Sequence, residues 1–237
     1  MDNTLEQKDL SDLEKEIDYS FKDRALLIQA LTHPSIDAHA TDKLKNYQRL
    51  EFLGDRVLGL IIAELLLENF PNEEEGSIAK RHTVLVQAKA LYNVAERIEL
   101  GTYITLSLGE ARTGGRHKVT VLADATEALI AAIYLDSGIK DAQDFITKYW
   151  LKKLLSYETP PTDTKTALQE WAQKRSLPLP HYVLLERSGD DHTPTFEIEV
   201  RIKGYAPQIG IGPSKRRAQK KAAEAMMNYI QSLDEDS

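Results

Sequence analysis

The hydrophobic period of this chain changes once, and the change falls beside Pro160-Pro161. Up to that point apolar residues recur at helical spacing, and no run alternates as a strand would. Beyond it, Phe196, Ile198, Val200 and Ile202 alternate with Glu197, Glu199, Arg201 and Lys203, so one face of that stretch must be buried. The expected architecture is multidomain: an all-α domain followed by an α+β domain of order α-β-β-β-α.

In the first part, Leu10, Leu13 and Ile17 share a helical face, and a short helix is expected from Asp23 to Leu31, ending before Pro34. A long apolar-rich helix runs from Tyr47 to Asn69 and stops before Pro71. Ser77 is a good N-cap for one further helix that Gly101 would close. Residues 109–115 read as a glycine-rich loop, 121–136 as a helix ended by Gly138, and 139–155 as another. Residues 156–162 have the composition of an extended linker. The second domain, 163–232, is expected to hold a helix over 164–174, strands over 182–186, 195–203 and 205–212, and a closing helix over 214–230, with an acidic tail at 233–237. That is about the smallest size that folds alone.

The net charge of −7 is unevenly placed. Residues 1–162 hold 19 Lys and Arg against 26 Asp and Glu; residues 163–237 hold 11 of each, with the basic ones clustered. There is no cysteine, which excludes disulfides and thiolate metal sites. The first ten residues are polar and acidic and lack the apolar core of a signal peptide, and Val57–Leu67 is too short to span a bilayer and is broken by Glu64. A cytoplasmic protein with no membrane partner is expected.

Glu51 and Asp55 lie four apart on the long helix, and Asp124 and Glu127 lie three apart on another, so each pair shares a helix face. Both pairs are set among apolar residues, and a carboxylate buried there must be paired, protonated or metal-bound. Pairing with Arg49 or Arg56, or exposure at a helix end, is the ordinary alternative. Four convergent carboxylates without cysteine or metal-spaced histidine favour a hard cation, Mg²⁺ or Mn²⁺, which clamps phosphates and activates water. No serine or histidine motif suggests covalent catalysis, and His33, before Pro34, reads as structural. Arg112, Arg116, His117 and Lys118 flank Gly114-Gly115 and read either as phosphate contacts or as a solvated basic loop.

The run Asn46-Tyr47-Gln48-Arg49-Leu50-Glu51-Phe52-Leu53-Gly54-Asp55-Arg56-Val57-Leu58 closely resembles the signature of the ribonuclease III family. Leu31-Thr32-His33-Pro34-Ser35 and Leu122-Ala123-Asp124-Ala125-Thr126-Glu127-Ala128-Leu129 resemble its flanking motifs, in the same order. The resemblance implies a double-stranded-RNA endonuclease that leaves 5′-phosphate and 3′-hydroxyl ends with short 3′ overhangs and processes ribosomal RNA precursors and other structured transcripts. It assigns Glu51, Asp55, Asp124 and Glu127 to the catalytic Mg²⁺, with Mn²⁺ as a substitute and no organic cofactor. It places Glu75 in the outer part of the cleavage site and Phe52 in the partner subunit of a homodimer. Gln48 stands where many members have Glu; an amide neither accepts a proton nor binds a cation as a carboxylate does, and it is read as an outer contact to RNA.

Lys215, Arg216 and Arg217 open the last helix, where cations oppose the helix dipole and so do not serve helix stability. Beside a helix N-terminus they make a phosphate site. Residues 163–232 resemble a double-stranded-RNA-binding domain. By that resemblance Gln169 and His192 reach two minor grooves, and Lys215, Arg216 and Lys220 bind phosphates across the major groove between them. Many members have Lys where Gln219 stands, so the cluster is one charge weaker. A catalytically silent RNA-binding protein and a phosphohydrolase of small molecules are the two alternative readings.

Overall fold

The computed structural model describes residues 9–36, 45–156, 159–161, 163–190 and 192–235. The chain forms two compact units that divide between Pro161 and Thr162.

The first unit contains α1 (Leu10–Ile17), α2 (Arg24–Ala30), α3 (Gln48–Asn69), α4 (Glu75–Val86), α5 (Ala88–Arg97), α6 (Leu108–Arg112), α7 (Val119–Ser137) and α8 (Ile139–Leu155). Helix α7 is its axis. Leu122, Ala123, Ala125 and the run Ala128–Ile133 are all buried, the pattern of a helix covered on every side. Leu58, Ile61, Ile62 and Leu66 of α3, Leu91 of α5 and Trp150 of α8 complete one core. Extended pairing among the described residues of this unit is limited to one bridge, Thr32 to Thr105. No helix among the described residues is long and apolar enough to cross a membrane.

Two regions of this unit depart most from the sequence reading. The helix expected between Ser77 and Gly101 is two helices, parted at Gln87, whose backbone is extended (φ −71°, ψ 154°). The break leaves the Leu85 carbonyl free of the helix ladder, and the buried Trp150 indole N–H donates to it at 2.8 Å. The expected loop 109–115 begins inside a helix: α6 is N-capped by the Ser107 hydroxyl, which accepts the Glu110 N–H at 3.3 Å.

The second unit contains α9 (Thr164–Lys174), strands β1 (His181–Ser188), β2 (Thr195–Arg201) and β3 (Gln208–Gly212), and α10 (Lys215–Glu235). The sheet is antiparallel in the order β1-β2-β3, with Tyr182 opposite Val200 and Ile198 opposite Gly210. Strand β1 extends beyond both expected ends and carries an irregularity between Leu184 and Glu186. Leu168, Val200, Ile202, Ala222, Ala223, Met226 and Ile230 form the core. Helix α10 lies directly on β3: a Cβ on Gly210 would come 2.1 Å from the Ala222 nitrogen. The helix does not stop at Ile230. No glycine or proline stands between Ile230 and Glu235, and Leu233, Asp234 and Glu235 of the expected tail are helical. Asp236 and Ser237 lie outside the described residues.

Candidate active site and nucleic-acid-binding surface

Helices α3 and α7 touch backbone to backbone, and a glycine in the signature makes this possible. A Cβ on Gly54 would lie 1.8 Å from the Glu127 carbonyl oxygen, so only glycine lets the helices approach so closely. Glu51, one turn before Gly54, is thereby carried beside Asp124 and Glu127. One carboxylate oxygen from each of these three lies within 4.8 Å of the others, and all three residues are partly buried.

Crowding and burial act on these acids in the same direction. Burial, then the charges of Asp124 and Glu51, pushes Glu127 up to about 7, while Arg56 acts weakly against this. Burial and then Asp124 raise Glu51; burial raises Asp124. An all-oxygen donor set that holds its protons unusually tightly lacks positive charge, and a hard divalent cation fits it.

Asp55, the fourth expected ligand, is placed differently. Its half-exposed carboxylate pairs with Arg56, the ordinary alternative for an acid on this helix, and it is not one of the three converging residues. The Arg56 guanidinium also sits 5.2 Å from the centre of the Phe52 ring. Phe52 itself is 68% exposed. Gln48 is exposed as the first residue of α3, and its N–H is taken by the Asn46 carboxamide oxygen at 3.0 Å. Glu75 is exposed as the first residue of α4, whereas nearby Glu73 makes a two-pronged pair with buried Arg81 (2.7 and 2.8 Å).

The sequence reading missed Tyr47. It is buried one turn before Glu51, with its phenol pushed up by burial and then by Asp124 and Glu51. Its ring meets His33 edge-on at 5.6 Å. The segment around His33 is stitched down: His33 N–H donates to Thr105, Thr105 N–H to Leu31, and Tyr47 N–H to Thr32. The His33 Nδ1 accepts the Ser35 N–H at 3.0 Å, so this histidine braces the start of α3. A buried aromatic one helical turn from a candidate ligand was a usable signal. The basic loop is likewise structural in part: Arg116 donates to the carbonyls of Gly101 and Ile104, and Lys118 pairs with Glu110 at 2.6 Å.

In the second unit, Gln169 of α9 and Arg216 and Lys220 of α10 line one polar cleft, together with Lys165, Thr166 and Asp163. Asp163 caps α9 by accepting the Lys165 N–H. Lys215 is exposed at the first residue of α10, and His192 is exposed in the β1–β2 turn, which needs Gly189 at φ +82°. Gln219 has a definite role: its side-chain oxygen accepts the Lys165 ammonium at 2.7 Å, tying α10 to α9. A lysine there would face Lys165 with like charge.

Residues 23–154 match the family model described as Ribonuclease-III-like, and residues 164–230 match that of the double-stranded RNA binding motif. Ribonuclease 3 of Wolbachia sp. subsp. Brugia malayi is 42% identical over 94% of this chain and 93% of its own length. Ribonuclease 3 of Ehrlichia ruminantium (strain Welgevonden) is 45% identical over 92% of this chain and 96% of its own length. Among solved structures, the nuclease domain of ribonuclease III from Campylobacter jejuni, described with flexibility in a region involved in dimer formation, is 39% identical. It covers 60% of this chain and 99% of its own, with a TM-score of 0.55.

Proposed function

The chain belongs to the ribonuclease III family and is an endoribonuclease acting on double-stranded RNA, and we propose that it hydrolyses its substrate at the Glu51, Asp124 and Glu127 cluster with Mg²⁺ bound. Mn²⁺ substitutes, no organic cofactor takes part, and Asp55 becomes the fourth ligand by exchanging Arg56 for the ion. The observation that carries this reading is the convergence of three carboxylates whose protons are held too tightly for an isolated acid. A bound divalent ion supplies neutralisation of the scissile phosphate and acidification of a water. The protein's own part is to hold the oxygens in place through the Gly54 contact and the brace around Tyr47 and His33. Gln48 and Glu75, both exposed, contact RNA outside the cluster. Gln169 and His192 read minor grooves, while Lys215, Arg216 and Lys220 take phosphates. The products carry 5′-phosphate and 3′-hydroxyl ends with short 3′ overhangs. The substrates are ribosomal RNA precursors and other structured transcripts, messenger RNAs included, met in the cytoplasm. Incubating the protein with long duplex RNA in Mg²⁺ and in EDTA tests this: cleavage confined to the Mg²⁺ arm is expected, and equal cleavage in both arms would overturn it.

Staggered cuts need two sites, and the same proposal makes the chain a homodimer joined through Phe52. Exposure of a phenylalanine at this level is costly in water, and Leu60 and Leu67 are exposed further along α3. A mostly apolar hollow on the same helix is lined by Leu53, Arg56, Val57, Leu60, Tyr134 and Ile139. Because Phe52 is not in its own unit's core, Phe52→Ala should leave a folded protein whose dimer dissociates about tenfold more readily or worse. Sedimentation velocity across a dilution series measures this; a variant as dimeric as the parent at the lowest concentration removes Phe52 from the interface.

A further inference from the structure

Lys165, the second residue of α9, lines the polar cleft of the second unit together with Gln169, Arg216 and Lys220. It is partly buried, whereas Lys215, Arg216 and Lys220 are exposed. Two contacts hold its side chain. The ammonium donates to the Gln219 side-chain oxygen at 2.7 Å and lies 4.9 Å from the centre of the Tyr182 ring. An ammonium has three N–H donors, and Gln219 takes one of them. Gln219 and Tyr182 are both uncharged, so neither cancels the positive charge that they hold. Asp163 is the one carboxylate lining the cleft among the described residues, and it accepts the Lys165 backbone N–H at 3.0 Å as the cap of α9. Three cations and one acid therefore line the cleft, which favours an anion.

Joining α9 to α10 does not in itself call for a lysine. Any neutral donor of the right length would satisfy the Gln219 oxygen, and drawing an ammonium partly out of water costs more than drawing in a neutral group. A polyanion beside the cleft changes that balance, because a phosphate takes the donors that Gln219 leaves over. Order counts as well. A lysine free in solvent loses rotamer freedom when it meets a phosphate, whereas Lys165 is already held by the amide and the ring.

We propose that Lys165 is a further phosphate contact of the double-stranded-RNA surface, with Gln219 and the Tyr182 ring as the residues that position it. The proposal rests on the reading of Arg216 and Lys220 as phosphate contacts given above. Binding of the full chain to one RNA duplex, measured across a salt series in EDTA so that metal-dependent cleavage does not intrude, tests it. Lys165→Gln should make the slope of log affinity against log salt shallower by about 1, the share of one phosphate contact. Lys165→Arg keeps the charge and should keep the parent's slope. The side-chain ends of Lys165 and Gln219 are 2.7 Å apart, so a lysine at 219 brings its charge to nearly the same place. The double exchange Lys165→Gln, Gln219→Lys should therefore restore the parent's slope. A lysine that only joins the two helices predicts the reverse: a lower melting temperature for Lys165→Gln and no change of slope. Arg216→Ala is the benchmark for the surface and should also make the slope shallower by about 1. A slope that responds to Arg216→Ala but not to Lys165→Gln overturns the proposal and leaves the RNA reading of the cleft standing. A slope that responds to neither overturns both. A double exchange as shallow as Lys165→Gln alone would also overturn the proposal, since the charge would be back in the cleft without its effect. Circular dichroism and melting of each variant show that the folds being compared are the same.

Discussion

The two units place charge in opposite ways. In the first, Glu51, Asp124 and Glu127 are crowded together and partly buried, and each is harder to ionise than a free acid. In the second, Lys215, Arg216 and Lys220 stand in solvent on one helix, where water screens them and holding them there costs the fold little. Chemistry at a phosphate calls for charge held where the fold alone disfavours it, so that a cation completes the site. Binding a polyanion calls only for charges in the right pattern on a surface. The first kind of site depends on packing to within an ångström, and the second does not. That difference makes the two units separable by mutation.

Glu127→Gln should separate them most sharply. Changing a residue that merely supports a metal ligand typically costs about 10- to 100-fold, so removing a ligand should slow single-turnover cleavage by more than about 100-fold. Duplex affinity, measured by gel shift in the same Mg²⁺ buffer, should stay within about twofold, because phosphate contacts supply most of it. Binding lost together with cleavage would show that the two units do not divide the work.

The next largest effect tests the packing half of the comparison. Gly54→Ala places a methyl 1.8 Å from the Glu127 carbonyl oxygen; the methyl is fixed directly to one helix backbone and the oxygen belongs to the other, so neither can swing aside. Overpacking of this kind costs about 1–3 kcal/mol, and this contact lies at the upper end. Cleavage should fall with stability, since the methyl pushes Glu51 away from Glu127. Gly210→Ala makes a comparable clash with Ala222 in the second unit. It should lower the stability of that unit and weaken RNA binding, while turnover at saturating RNA is retained. Calorimetry and single-turnover cleavage on both variants measure this; equal loss of turnover from Gly210→Ala would break the separation.

What was legible in the sequence follows the same division. Helix α3 and helices α8 and α9 have ends marked by local residues, Pro71, Gly138 and Asp163 among them, and their limits are those expected or lie within one residue of them. The break at Gln87 has no such mark; it depends on Trp150, more than sixty residues away, reaching the Leu85 carbonyl. The start of α6 was readable after all: Ser107 and Glu110 have the spacing of a capping box, which the glycines around them obscured. At the site, helical spacing pairs the acids on each helix, but it cannot say that α3 and α7 cross at Gly54 or that Asp55 turns to Arg56. The cations of α10 were legible as a group because a surface pattern on one helix is local.

A smaller effect is expected on the binding side. Replacing Lys215, Arg216 and Lys220 with alanine removes exposed charges and leaves the core of the second unit untouched. The slope of log affinity against log salt should become shallower by about 2 to 3. The weakening should be the same for duplexes of different sequence, because these contacts go to phosphates. Turnover at saturating RNA should be unchanged, as expected when binding is lost equally in ground and transition states. An unchanged salt slope would remove these three residues from the RNA surface.

The smallest expected effect is thermodynamic. Glu127 in the fold holds its proton to about pH 7, whereas a free glutamate releases it near 4.5, and Glu51 and Asp124 are shifted in the same direction. Between those two values the unfolded chain has lost a proton that the native chain still binds. Raising the pH through this window therefore removes stability, and the contribution is fully present only below the unfolded value. Partial exposure of the cluster screens the effect, so the metal-free first unit should melt only about 2–4 °C lower at pH 8 than at pH 5 on this account. Mg²⁺ competes with these protons, so the stabilisation it gives should be larger at pH 8 than at pH 5. Glu127→Gln supplies the internal control, because an amide has no proton to lose: it should flatten the metal-free pH dependence and raise the melting temperature at pH 8. Calorimetry of parent and variant in EDTA and in Mg²⁺ at both pH values makes the comparison. A parent that gains stability between pH 5 and 8 without metal, where the variant does not, would mean that the crowded carboxylates are stabilised by something other than the cation proposed for them.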